Sequence, residues 1–206
     1  MSSSTLDKTT ALEVSQEDRL RAQVYRLLAT LLRQAPDREL LQRLAAIDPG
    51  PQRPSGSMAE AWAQLAEAAR RGNPGELRQE HFELFIGIGR GELVPFGCWY
   101  LTGFLMEKPL AELRQDLKLM AFQRREGVRE PEDHAAALCE TMSLIIQDGV
   151  LAFGIQQRFF QKHIHPWMGR FFNDLQHCPR ADFYRAVGTL GANLMAVEQR
   201  YLAPGA

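Results

Sequence analysis

Glu130-Pro131-Glu132-Asp133-His134 and the stretch from Gly87-Ile88-Gly89-Arg90-Gly91 to Pro95-Phe96-Gly97-Cys98-Trp99-Tyr100 hold the residue types best suited to chemistry. The first packs three carboxylates into four residues. These repel one another unless a cation joins them, and guanidinium fits best because its forked N–H donors match a carboxylate. Arg90, Arg125 or Arg129 can supply that cation from within the chain, and so can an arginine of a ligand. The same block also reads as a plain helix start. Proline is tolerated at the first helical position, and acids suit the positive end of the helix dipole. The spacing therefore predicts a long helix beginning at Pro131. In the second stretch the glycines permit left-handed turns or the approach of another backbone. The adjacent rings read either as core or as a recognition surface. Carboxylates facing rings across a groove suit a peptide with arginines and an apolar run better than a catalytic centre.

Other chemistries find little support. A dinucleotide-binding glycine loop follows a strand and opens a helix, whereas Gly87 to Gly91 follows a predicted helix and lacks the Lys-Ser or Lys-Thr of a phosphate loop. His163 and His165 lie two apart, no His-Glu-x-x-His occurs, and Asp174 with His177 makes only half of a di-iron pattern. Cys98, Cys139 and Cys178 form no Cys-x-x-Cys pair, so a disulfide framework or structural zinc is not expected and a reducing compartment fits. Cys139 sits in an apolar helix and reads as inert core. These features predict a protein that is not an enzyme and holds no metal or cofactor.

The elements that must position these residues read as helices throughout. With 206 residues, 45% hydrophobic and 24% charged, the chain can bury a sizeable core as one domain. A net charge of -1 argues against general nucleic-acid or anionic-membrane binding. Met1 to Thr10 lacks a signal-peptide layout, and no run of apolar residues is long enough to span a membrane, so the expected location is cytoplasmic. Residues 1–14 are expected to form a disordered tail and 15–206 one helical domain. Leu20, Val24, Leu27, Leu28, Leu31 and Leu32 form a stripe over 16–34 with Ser15 as N-cap and Asp18 in a capping box. Further helices are predicted after Pro36, over 57–71, and from Pro74 to Ile86 with Leu77, Phe82, Phe85 and Ile86 inward. Others are predicted over 99–106, after Pro109 and after Pro131. The last cover 155–163, 167–175 and 180–201, and a short extended piece is possible at Leu93-Val94. The sum is all-α, about nine helices in a single domain, with a candidate hinge between two lobes near 122–130.

Several of these pieces together resemble the TorD/DmsD family of redox-enzyme maturation chaperones. They are Tyr25-Arg26-Leu27-Leu28-Ala29, Phe82 to Tyr100 with Gly89-Arg90-Gly91 and Pro95, and the 130–134 block. Phe159-Phe160, His163 and Pro166-Trp167 complete the likeness, which runs from about Gln16 onward. It implies an all-α cytoplasmic chaperone that binds the twin-arginine signal peptide, or the apo form, of a molybdenum-cofactor oxidoreductase and delays export until the cofactor is inserted. On that basis Glu130, Glu132 and Asp133 receive the two arginines, with Pro131 opening their helix and His134 fixing the carboxylates. Arg90 locks the glycine loop to the block, and Tyr25, Pro95, Trp99 and Tyr100 line an apolar groove. The molecule is a monomer or a lobe-exchanged dimer. Two alternatives stand beside this reading. One is a guanine-nucleotide-binding regulator or hydrolase using the Gly87 to Gly91 loop. The other is a plain helical scaffold in which residues 130–134 only cap a helix.

Overall fold

Local side chains start the first four helices. Ser15 Oγ accepts from Asp18 N–H at 3.0 Å, and Asp37 Oδ1 accepts from Leu40 N–H at 2.8 Å. Ser57 Oγ accepts from Glu60 N–H at 3.2 Å, and Asn73 Oδ1 accepts from Gly75 N–H at 2.8 Å beside Pro74. Each satisfies a backbone donor that a helix start leaves unpaired. The computed structural model describes residues 14–87, 91–123, 130–148 and 153–203. Ten α-helices run through them: α1 (Gln16–Arg33), α2 (Arg38–Ala45), α3 (Met58–Arg71), α4 (Pro74–Phe85), α5 (Gly97–Thr102), α6 (Lys108–Leu119), α7 (Ala135–Gln147), α8 (Phe153–Phe159), α9 (Met168–His177) and α10 (Phe183–Tyr201). A π-helical turn, Phe160–Ile164, continues α8. Among the described residues the one extended pairing is an isolated antiparallel bridge between Phe96 and His134.

The core forms where α1 lies along α7 and α10 packs on α9 and α3, with α2 packed on α3. Leu28, Leu31, Leu65, Met142, Ile145, Phe171, Phe172 and Leu190 are all buried there. The α9–α10 contact is unusually close: a Cβ on Gly191 would sit 2.2 Å from the Phe172 ring, so any larger residue forces the helices apart. Two polar locks cross the core. Arg21 of α1 meets Glu198 of α10 through two bonds of 2.6 and 2.8 Å, and Tyr25 Oη donates to the same carboxylate at 3.2 Å. Glu80 of α4 accepts from the backbone N–H groups of Asp182, Phe183 and Tyr184, capping α10 from another element.

The structure departs from the sequence reading in several places. On α4 the inward stripe is Leu77, His81 and Leu84, whereas Phe82 and Ile86 are exposed. His81 turns inward because its ring packs against Phe85 and Tyr184 and its Nε2 meets the Leu32 carbonyl. The helix expected at Pro131 starts at Ala135, since the preceding residues form a turn closed by His134 N–H to Pro131 O at 3.2 Å. The helix expected over 99–106 ends at Thr102, where Gly103 turns left-handed at φ 81°. Leu93-Val94 forms no strand; Glu92 and Leu93 N–H donate instead to the Glu83 and Leu84 carbonyls at the end of α4. The expected tail lies outside the described residues up to 13, and so does 124–129 of the expected hinge.

Candidate functional site

The motif residues meet first in a buried knot. Gly97 N–H donates to Asp133 O at 2.9 Å and Ala135 N–H donates to Pro95 O at 2.8 Å, so the chain before α5 pairs with the chain before α7. Asp133 Oδ2 accepts from Cys98 N–H at 2.8 Å. It thereby caps α5, whose own N-cap Phe96 has no side-chain acceptor. His134 Nδ1 accepts from Ala136 N–H at 3.0 Å and caps α7, with its ring edge-on to Phe96 at 4.9 Å. Burial pushes the His134 imidazole down to about 4, with Arg33 and His81 adding to the effect, so it stays neutral near pH 7. Trp167 closes the knot. Its Nε1 donates to His163 O at 2.9 Å, and its indole lies against Gly97, where a Cβ would come within 3.1 Å. Gly91 has a similar cause: a Cβ there would lie 2.5 Å from Leu84 O. That glycine lets the loop touch the end of α4.

Beside the knot lies an open cleft of about 380 Å³ between α6 and α7. Its floor is apolar: Leu117 of α6, Phe122, and Ala137 and Leu144 of α7. Glu130, Glu132 and Glu140 stand on its walls together with Arg33, Arg114 and Lys118. Arg114 pairs with Glu132 at 2.9 Å, and Arg33 with Glu140 at 2.7 Å. A cleft of about 440 Å³ between α2 and α3 is lined by Arg38 and Arg70 and, among the described residues, by no carboxylate, so it suits a cation poorly. The cleft beside α6 and α7 combines a greasy floor with acids, which is what an arginine-bearing apolar segment needs.

The expected site residues divide between knot and cleft. Glu130 and Glu132 line the cleft. Pro131 is half-buried in the turn between them and the knot. Asp133, expected to receive an arginine, is only 4% exposed, is bonded to Cys98 and does not line the cleft. Tyr25, expected in the groove wall, is fully buried on Glu198, and Pro95 is buried in the knot. Trp99 and Tyr100 are half-buried and do not line this cleft. Tyr100 packs on Trp167 and donates to Asp174 at 3.0 Å. Arg90 lies outside the described residues. Sequence reasoning missed Arg33, Arg114, Phe122, Glu140 and Leu144. Ala137, Glu140, Thr141 and Leu144 carry the signal that marks the second wall, since their three- and four-residue steps put them on one helix face. A second missed feature is the end of α5 and the turn that follows it, where Leu101, Phe104, Leu105 and Met106 are all exposed. Thr102 Oγ1 holds that turn by bonds to Cys98 O and Phe104 N.

Among the described residues no group of His, Cys, Asp and Glu is placed to hold a metal, and no helix is long and apolar enough to cross a membrane. The family model described as nitrate reductase delta subunit matches residues 52–173. Over 138 residues the chain is 25% identical to the chaperone protein TorD of Vibrio parahaemolyticus, covering 62% of this chain and 64% of that one. That match thus spans just under two thirds of the relative's length. Against TorD of Shewanella loihica it is 25% identical over 206 residues, covering 92% of this chain and 93% of the relative. The crystal structure of a proposed redox enzyme maturation protein from Archaeoglobus fulgidus shares the fold, with a TM-score of 0.58 over 86% of this chain and 94% of that one at 15% identity. With the family model, the relatives and the helical fold in agreement, the chain belongs to the TorD/DmsD-like family of redox-enzyme maturation chaperones.

Proposed function

We propose that this protein is a cytoplasmic chaperone that holds the twin-arginine signal peptide, and with it the apo form, of a molybdenum-cofactor oxidoreductase until the cofactor is in place. The observation that carries this reading is the α6–α7 cleft, in which Glu130, Glu132 and Glu140 stand over Leu117, Phe122 and Leu144. The carboxylates take the two arginines, and the floor takes the apolar run that follows them. Asp133 and His134 act from beneath by holding the 130–132 turn in place. Exposed ion pairs contribute about 0–1 kcal/mol each. Covering about 400 Å² of apolar surface gives a gross gain of about 10 kcal/mol before association and ordering costs. The floor therefore supplies most of the affinity and the acids supply the preference for arginine. The exposed turn around Phe104 offers the client a second apolar contact.

Calorimetry with a peptide carrying two arginines and an apolar run tests the reading. It should bind at micromolar strength, more tightly than versions with two lysines or two glutamines. Glu132→Gln should weaken the twin-arginine peptide several-fold and leave the glutamine version alone. Equal binding of all three peptides, or tight GTP binding with turnover, would overturn the proposal.

A further inference from the structure

Two ion pairs at the cleft join one of its acids to an arginine of the chain itself. Arg114 of α6 reaches Glu132, and Arg33 at the end of α1 reaches Glu140 on α7. Both arginines also line the cleft, so each guanidinium stands where a guest guanidinium would have to go. Their side chains are 45% and 39% exposed, which leaves water to screen these pairs and makes them cheap to exchange.

Building on the peptide-binding reading, we infer that Arg33 and Arg114 are resident stand-ins for the client's two arginines, and that a twin-arginine segment enters the cleft by exchanging with them. In the empty cleft they keep Glu132 and Glu140 neutralised, so the wall carboxylates do not repel one another. On binding, each guest guanidinium takes over a carboxylate and the resident side chain swings into water. The count of ion pairs is unchanged by the exchange. The residents therefore hold the affinity down to a level that permits release of the client, and they make binding only weakly dependent on salt. A peptide without cations fills the apolar floor and leaves the residents where they are.

The test compares Arg33→Gln, Arg114→Gln and the double variant with the unaltered protein, using the twin-arginine peptide and the same peptide with two glutamines. Each single variant should bind the twin-arginine peptide about threefold to fivefold more tightly, and the double variant by about the product. The glutamine peptide should be unaffected. Salt dependence should steepen in the variants, because a new ion pair then forms without one being given up. Arg114→Lys, which keeps the charge but not the fork, should fall between. Melting curves confirm that each variant is folded. If the unaltered protein binds both peptides equally, the peptide-binding reading itself fails and takes the inference with it. If the unaltered protein prefers the twin-arginine peptide but the variants bind it no better or more weakly, the exchange is wrong while the reading stands. Equal tightening for the glutamine peptide also overturns the exchange, since it would mean only a wider cleft.

Discussion

Asp133 and Glu132 are neighbours with opposite fates. Glu132 points into the α6–α7 cleft and pairs with Arg114, whereas Asp133 turns under it to cap α5. Removing a buried cap costs more than removing a charge from a watery wall. Asp133→Ala should lower unfolding stability by about 1–2 kcal/mol, and Glu132→Gln should change it by less than about 0.5 kcal/mol, both read from urea titrations. His134 makes a related prediction about pH. Its folded value of about 4 lies below the 6.5 of a free imidazole. The unfolded chain therefore binds more protons between those values, so stability is complete above about 6.5 and declines as pH falls toward 4. The full shift is worth about 3 kcal/mol. Burial also lowers His81 and His163, which adds to the slope with the same sign. His134→Asn keeps a capping acceptor without the titration, so urea midpoints measured from pH 7 to 4.5 should flatten in that variant.

Two helices depend on carboxylates lent by other elements: α5 on Asp133 and α10 on Glu80. Burial pushes Glu80 up, but three backbone N–H groups pull the other way and keep it useful as an acceptor. The α1–α10 lock is stronger still. Glu198 is fully buried, takes two bonds from Arg21 and one from Tyr25, and Arg21 also lies over the Tyr201 ring at 4.3 Å. Glu198→Ala leaves Arg21 buried without its main counter-ion, so a loss of about 3–5 kcal/mol is expected as a large fall in melting temperature. The exposed pair Arg43–Glu39 on α2 provides the contrast, since its loss should go undetected in the same melt. At the α9–α10 crossing, Gly191→Ala should cost about 1–3 kcal/mol, because Phe172 has no room to yield a full atom's width. An unchanged melting temperature for Gly191→Ala would overturn this close crossing.

Across the whole molecule, the buried knot and the open cleft lie side by side and share the 130–134 block. Some of the residues on which the family likeness rests, Gly97, Asp133, His134, His163 and Trp167, gather in the knot that joins α5, α7 and the π-helical turn. Apart from Glu130 and Glu132, the cleft beside it is built from side chains that no motif marks, such as Arg114 and Phe122. α6, which forms one wall, buries only Leu110 and Leu113 and is tied down by ion pairs at Arg114 and Asp116. Burial alone would raise Asp116, but Lys162 and His163 hold it below the usual carboxylate range. Charged ties on a lightly packed wall can be remade when a ligand enters, which a fully packed helix does not allow.

Read alone, the amino-acid sequence was enough to establish the all-helical class, the cap at Ser15, the buried Leu28, Leu31 and Leu32 of the α1 stripe, though not its exposed Leu20, and the family likeness. These are short-range matters: a cap acts over two or three residues and a stripe repeats every turn, so both are written in consecutive positions. Only the tertiary structure decided that Asp133 caps α5 across 35 residues, that Arg21 finds Glu198 across 177, and that Tyr25 belongs to the core. Whether a carboxylate meets water or a backbone amide depends on which distant segment packs over it, and local periodicity holds no record of that.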